Sequence, residues 1–251
     1  MIGEERRIEE KKALFFCLNR EDGQELWQHP SPGDQWWVGI EAVYRDTVIL
    51  HGFANPNLPL HRGIIAVDIL TGTKLWENHA LEFIGIAEDS VVGSGETAAG
   101  RSFVELDRRS GTKTRDLPAS ELRALSFDQA GLESEMKVPV PLEQLAADDP
   151  QVDAAIRIHD EAGTLAGPVE AVEQEGFVIF DCHEATGHGA EQERLLSSVV
   201  KVIELATGRL VYSDTIGTGV DTVIPELFFV QQGMLYYIKE RRTLIAVRLA
   251  E

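Results

Sequence analysis

Four kinds of metal ligand fall within eight residues at Asp181-Cys182-His183-Glu184-Ala185-Thr186-Gly187-His188. Zinc and other transition metals accept thiolate, imidazole and carboxylate, so Cys182, His183 and His188 are candidate ligands. The His-x4-His spacing matches no zinc signature, and no second ligand pair of known spacing accompanies it. A catalytic zinc needs three placed protein ligands. Glycine on both sides of His188 suits a mobile loop carrying ordinary histidines. The expectation is therefore no metal and no cofactor.

A second group is His51-Gly52-Phe53-Ala54-Asn55-Pro56-Asn57-Leu58-Pro59-Leu60-His61-Arg62. It is long for a hairpin connection and stiffened by two prolines. Long, chemically specific loops on a rigid scaffold are where binding sits. His51, Asn55, Asn57, His61 and Arg62 are candidate contacts on that ground. The same residues suit an Ω-type loop, with the Asn side chains capping local turns and Leu60 packed down. Both readings stay open. No Ser/His/Asp triad, phosphate-binding loop or nucleotide fingerprint is present, and Gly93-Ser94-Gly95 lacks the spacing of a nucleophile elbow.

The elements that must position these residues are repeats. Ile64-Ile65-Ala66-Val67-Asp68-Ile69-Leu70-Thr71-Gly72-Thr73-Lys74-Leu75-Trp76 reads as a strand, a glycine turn and a strand ending in tryptophan. Leu14–Trp27, Phe103–Lys113 and Val202–Tyr212 align with it on glycines 23, 111 and 208. Glycine supplies the φ > 0 position that a short hairpin needs. A weaker repeat precedes each turn, as a strand, a polar turn and a strand: Ile40–Leu50, Phe83–Val92, Val169–Phe180 and Leu227–Tyr237. Together they predict four-stranded antiparallel units of roughly 40–50 residues, the period of propeller blades.

These residues resemble the quinoprotein-like (PQQ-like) β-propeller repeats, whose mark is Asp-x-x-(Thr/Ser/Asp)-Gly-x-x-x-Trp. Asp68 to Trp76 fits it. Asn19 to Trp27 fits with Asn in place of the first Asp, and Asp107 to Gly111 fits with Arg115 where Trp is expected. Glu204 to Tyr212 is a weaker variant. Asn55 to Gly63, with the repeat after it, is similar to a small bacterial propeller family known only as a domain of unknown function. The resemblance raises a quinone-dependent dehydrogenase. Those enzymes are larger, usually periplasmic, and hold the cofactor with a calcium site and often a vicinal disulfide. Cys17 and Cys182 are the only cysteines and are far apart. Propellers host many functions, so the resemblance implies a fold rather than an activity.

The expected fold is all-β. It is a single β-propeller domain over residues 1–251, with its ring closed by strands from both termini. Residues 118–167 break the pattern and read as a degenerate blade with a helical insert near 150–161. Asp149 is the expected N-cap, Pro150 the first helical residue and Gly163 the stop. Val152, Ala155, Ile156 and His159 share one face. The count is five blades if the termini share one, and six if they do not. Trp36-Trp37, if on a strand, point to opposite faces, so at most one is core and packing between blades is the favoured role.

Composition narrows the partners. Acidic residues number 42 and basic ones 23, a formal net charge of −19, with 43 % hydrophobic residues. That field repels nucleic acid and anionic lipid. No apolar run reaches the ~20 residues of a membrane helix. The charged Met1–Lys12 stretch has no apolar h-region, so a cytoplasmic protein is expected. Both cysteines lie in apolar strand contexts and are expected as buried thiols.

The expected function is a non-enzymatic scaffold that binds a protein or small molecule. The rival is a metal-dependent or quinone-dependent enzyme using loop histidines. Strands alternate direction, so connections alternate ends of a sheet. The turns near Asp46, Asp89, Gln174 and Gln232 share one end with the glycine turns. Loops 51–63, 93–101 and 181–195 share the other, which places His51, His61, His183 and His188 on the predicted binding face.

Overall fold

A computed structural model describes every residue except 34–35, 56–57, 99, 128–135, 149, 159–164, 189–193 and 250–251. The chain is mostly β and divides into two compact units, Met1–Ser134 and Glu135–Glu251. Among the described residues no helix is long and apolar enough to cross a membrane.

The first unit holds three antiparallel sheets in chain order. β1 (Ile2–Arg7), β2 (Lys12–Leu18) and β3 (Glu25–Pro30) make the first. β4 (Val38–Tyr44), β5 (Thr47–Asn55), β6 (Leu58–Asp68) and β7 (Lys74–Asn78) make the second. β8 (Glu82–Ala87), β9 (Ser90–Thr97), β10 (Gly100–Asp107) and β11 (Lys113–Leu117) make the third, followed by the short helix α1 (Ala119–Leu122).

The central strands β5 and β6 are apolar on both faces, and the packing explains why. Val48, Leu50, Ile65 and Val67 join Phe15, Cys17 and Trp27 of the first sheet in one core. Ile49, Ile64 and Ala66 point the other way and join Val91, Val104 and Leu106 of the third. Strand alternation divides one apolar run between two cores.

The glycine hairpins lock these sheets together. In the β6–β7 turn, Asp68 Oδ1 accepts the backbone N–H groups of Leu70 and Thr71, each at 3.0 Å, and Gly72 N–H donates to Asp68 O at 2.9 Å. The β10–β11 turn repeats this with Asp107, Ser110 and Gly111. Each glycine is needed twice over. Gly72 and Gly111 have φ of +70° and +67°, and a Cβ on either would lie 2.5–2.6 Å from the ring of Trp27 or Trp76 respectively. Those tryptophans end the preceding repeat. Trp27 Nε1–H donates to Ile69 O at 2.9 Å, and Trp76 Nε1–H to Arg108 O at 2.8 Å. Each repeat's tryptophan thus seats on the next repeat's turn. Arg115, which stands where the third tryptophan was expected, instead pairs with Glu105 and Glu121.

The second unit holds two sheets. β12 (Met136–Lys137), β13 (Val140–Pro141), α2 (Leu142–Asp148) and α3 (Pro150–Ile158) precede β14 (Glu170–Gln174), β15 (Phe177–His188), β16 (Arg194–Glu204) and β17 (Arg209–Val220). β18 (Phe228–Gln231), β19 (Met234–Lys239) and β20 (Thr243–Arg248) end the chain. β13 extends β14–β17 to five strands, with α3 covering one face through Val152, Ala155 and Ile156. Asp149, His159 and Gly163, expected at the start, inner face and end of that helix, lie outside the described residues. In this unit Tyr212 plays the tryptophan's part, its hydroxyl 2.6 Å from that of Tyr237 in the next sheet.

Three expectations change. Among the described residues the terminal strands lie in separate sheets. β1–β3 stand as a sheet of three, and β18–β20 take β12 as their fourth strand. The segment 118–167 makes no separate sheet among the described residues, since its two short strands cover edges of two others. Trp36 and Trp37 precede β4 rather than lie on a strand, and neither is buried. Trp37 packs edge-on against Phe53, and the Arg6 guanidinium lies 5.3 Å over Trp36.

Candidate functional site

The predicted long connections are mostly strand. Pairing in the second sheet continues past the core through Gly52↔Arg62, Phe53↔His61 and Asn55↔Leu58. His51 and His61 are therefore held on paired backbone, at the end of the sheet away from its glycine turn.

Two bulges aim the side chains there. In β4 the register shifts between Ile40 and Ala42, leaving Glu41 as the extra residue. The register of β5 against β6 also shifts between Leu50 and Gly52, where the single residue His51 faces two of β6, Gly63 and Ile64. Bulges of this kind re-aim side chains and recur beside functional sites. The result is a cluster of Glu41, His51 and His61 on three adjacent strands, with one potential ligand atom from each lying within 4.8 Å of the others. It is the group of three or more such ligands found among the described residues.

His61 Nδ1 is 2.8 Å from Glu41 Oε2, in hydrogen-bond geometry. His51 Nδ1 is 2.7 Å from the same oxygen, an ion-pair contact outside strict hydrogen-bond geometry, and His51 Nε2 is buried with no polar partner. The two imidazoles stack, with centroids 3.5 Å apart and planes 8° apart. Phe53 meets both rings edge-on. His51 is 5 % exposed, whereas the His61 side chain is 44 % exposed. A Cβ on Gly39 would sit 3.1 Å from Cε1 and Nε2 of His51, so glycine there makes room for the ring. The imidazoles, His51 first, hold the Glu41 carboxyl below the usual carboxylate range, against burial, which pushes it up.

Of the other predicted contacts, Arg62 is exposed, opposite Gly52. Asn55 ends β5, and its side chain lies outside the described residues, as does the whole of Asn57. In the second unit His188 ends β15 opposite Arg194, its side chain likewise outside them.

Cys182 and His183 are strand neighbours and project to opposite faces, so the two do not converge on one ion. Cys182 is a buried thiol in the core beneath α3. His183, 2 % exposed, accepts the Ile224 N–H at Nε2 over 3.2 Å. Its Nδ1 is buried without a partner, and burial pushes its pKa down. Asp181 is equally buried, and burial, with the Glu170 charge second, raises its carboxyl to about 7.

Glu41 is the residue that the sequence reading missed. Its signal is a break in alternation. Val38 and Ile40 face the first core, and so does Val43 rather than Ala42.

A protein-family profile described as a domain of unknown function (DUF4905) matches residues 1–76, the stretch that carries this cluster. No curated protein matches the chain. Among solved structures the chain is similar to an acylaminoacyl peptidase of Pyrococcus horikoshii, with 10 % identity and a TM-score of 0.30. That match covers 94 % of this chain, which spans only 40 % of the peptidase. It is also similar to KlHsv2 with loop 6CD replaced by a Gly-Ser linker, with 9 % identity, a TM-score of 0.25, and coverage of 95 % of this chain and 72 % of that one.

Proposed function

We propose that this protein is a non-enzymatic binding scaffold, a β-propeller whose blades are the five sheets, and that a protein or small-molecule partner contacts it at the end of β4–β6 remote from the glycine turns. The observation that carries this reading is the Glu41–His51–His61 cluster. Two bulges and a glycine bring it together, and it buries an imidazole whose Nε2 has no polar partner. Folding alone does not favour that nitrogen, since a buried polar atom without a partner costs about 1–3 kcal/mol. The repeated seating of tryptophan on the next turn supports the blade assignment.

Immobilised chain and native-cell extract test it. His61→Ala and Arg62→Glu should reduce the captured partner at least ~10-fold, the equivalent of about 1.4 kcal/mol, without lowering the melting temperature. Asp22→Ala, Thr71→Ala and Ser110→Ala, at the glycine turns, should leave capture intact. Release of the partner by the turn variants instead, or no specific partner for the wild type, would contradict the assignment.

A further inference from the structure

We propose that Glu41, His51 and His61 form a binding site for a divalent transition-metal ion of the zinc class. The inference rests on reading this end of the sheet as the binding surface, and it gives that surface its ligand chemistry. Two imidazoles and a carboxylate are a donor set that zinc and its first-row neighbours accept, with a fourth position left open for water or a partner's group.

Three observations point to an ion rather than to a structural hydrogen bond. The donors come from three adjacent strands, and one atom of each lies within 4.8 Å of the others. His51 Nε2 is buried with no polar partner, and a buried orphan of this kind calls for an ion, a water or a functional role. His51 Nδ1 also approaches Glu41 Oε2 to 2.7 Å without hydrogen-bond geometry. An ion bonded to both atoms would turn that contact into shared coordination.

The stacked arrangement also dictates how an ion would enter. Each imidazole lone pair lies in its ring plane. With the rings 3.5 Å apart and nearly parallel, an ion midway between them would stand about 1.8 Å off each plane, against a Zn–N bond of only about 2.0–2.1 Å. One ring must therefore turn. His51 is fixed between the Gly39 backbone and Phe53. The half-exposed His61 is the ring that swings, giving up its stacking and its bond to Glu41 as Nδ1 exchanges a proton for the ion.

Titration of the metal-stripped full chain with Zn²⁺, followed by calorimetry, tests this. One ion per chain is expected. Glu41→Gln and His61→Ala should each weaken binding by more than the 10–100-fold seen when an outer-shell partner is lost, and His79→Ala, at the exposed histidine just after β7, should not weaken it. Zn²⁺ should also shift the ring nitrogen resonances of His51 and His61 and leave those of His183 in place, a readout that needs no variant of the buried His51. No stoichiometric binding, or binding unaffected by Glu41→Gln and His61→Ala, would overturn the proposal. In that case partner release by His61→Ala and Arg62→Glu would still uphold the binding-surface reading. Zinc bound at the cluster, with partner capture insensitive to those changes, would uphold the metal site and sink the surface.

Discussion

Trp76→Ala should lower the stability of the first unit by about 3–5 kcal/mol, the range for truncating a buried tryptophan. Trp76 is 9 % exposed and sits in the core shared by the second and third sheets. Truncation empties the space over Gly111 and leaves the Arg108 carbonyl without its 2.8 Å donor. Gly111→Ala should also destabilise, because its φ of +67° is strained for alanine and the new Cβ would lie 2.5 Å from the indole. The double variant should cost less than the two singles together, since removing the indole removes the clash. Leu70→Ala, at a residue 68 % exposed, should stay within about 0.5 kcal/mol. Denaturant unfolding followed by circular dichroism measures all four. Wild-type stability in Trp76→Ala, or strict additivity with Gly111→Ala, would show that the tryptophan does not clamp the turn.

Asp181→Asn should stabilise the protein at neutral pH and have almost no effect near pH 4. The Asp181 carboxyl is raised from 3.8 to about 7, first by burial and then by Glu170. A carboxyl shifted upward holds its proton more tightly in the folded chain than in the unfolded one. Below about pH 4 both states are protonated and folding bears no penalty. Between pH 4 and 7 the unfolded chain ionises first, so this residue's contribution falls as pH rises. Above pH 7 the loss is complete, and a displacement from 3.8 to about 7 corresponds to about 4 kcal/mol. Asparagine removes the ionisation in both states. The stability difference between variant and wild type should therefore grow from near zero at pH 4 to that order at pH 8. His183, whose lowered pKa acts in the opposite direction at acid pH, is common to both proteins and cancels. A difference that stays flat from pH 4 to 8 would contradict the burial of an ionisable Asp181.

What was legible in the sequence is what acts locally. The Asp-x-x-(Thr/Ser)-Gly hairpins depend on one side chain capping its own turn and on one positive φ, and both are visible in neighbouring residues. The all-β character followed from them. Less legible were features that depend on distant partners. Strands β12 and β13 are two residues each, too short for any periodicity, and they exist because edges elsewhere need covering. The stretch from His51 to Arg62 read as a loop because its polar residues hide the alternation, although its backbone pairing continues. Cys182 and His183 looked like joint ligands because they are adjacent, which on a strand sends them apart. Glu41 was invisible because only a bulge turns it toward histidines that follow it by ten and twenty residues.

Crystals of the full chain grown with Zn²⁺ would place the ion by an anomalous difference map at the zinc edge. A single strong peak is expected about 2.0–2.2 Å from the Glu41 carboxylate and from one nitrogen each of His51 and His61, with the His61 ring rotated off His51. A map with no peak there, and the two imidazoles still stacked against Glu41, would contradict the metal site.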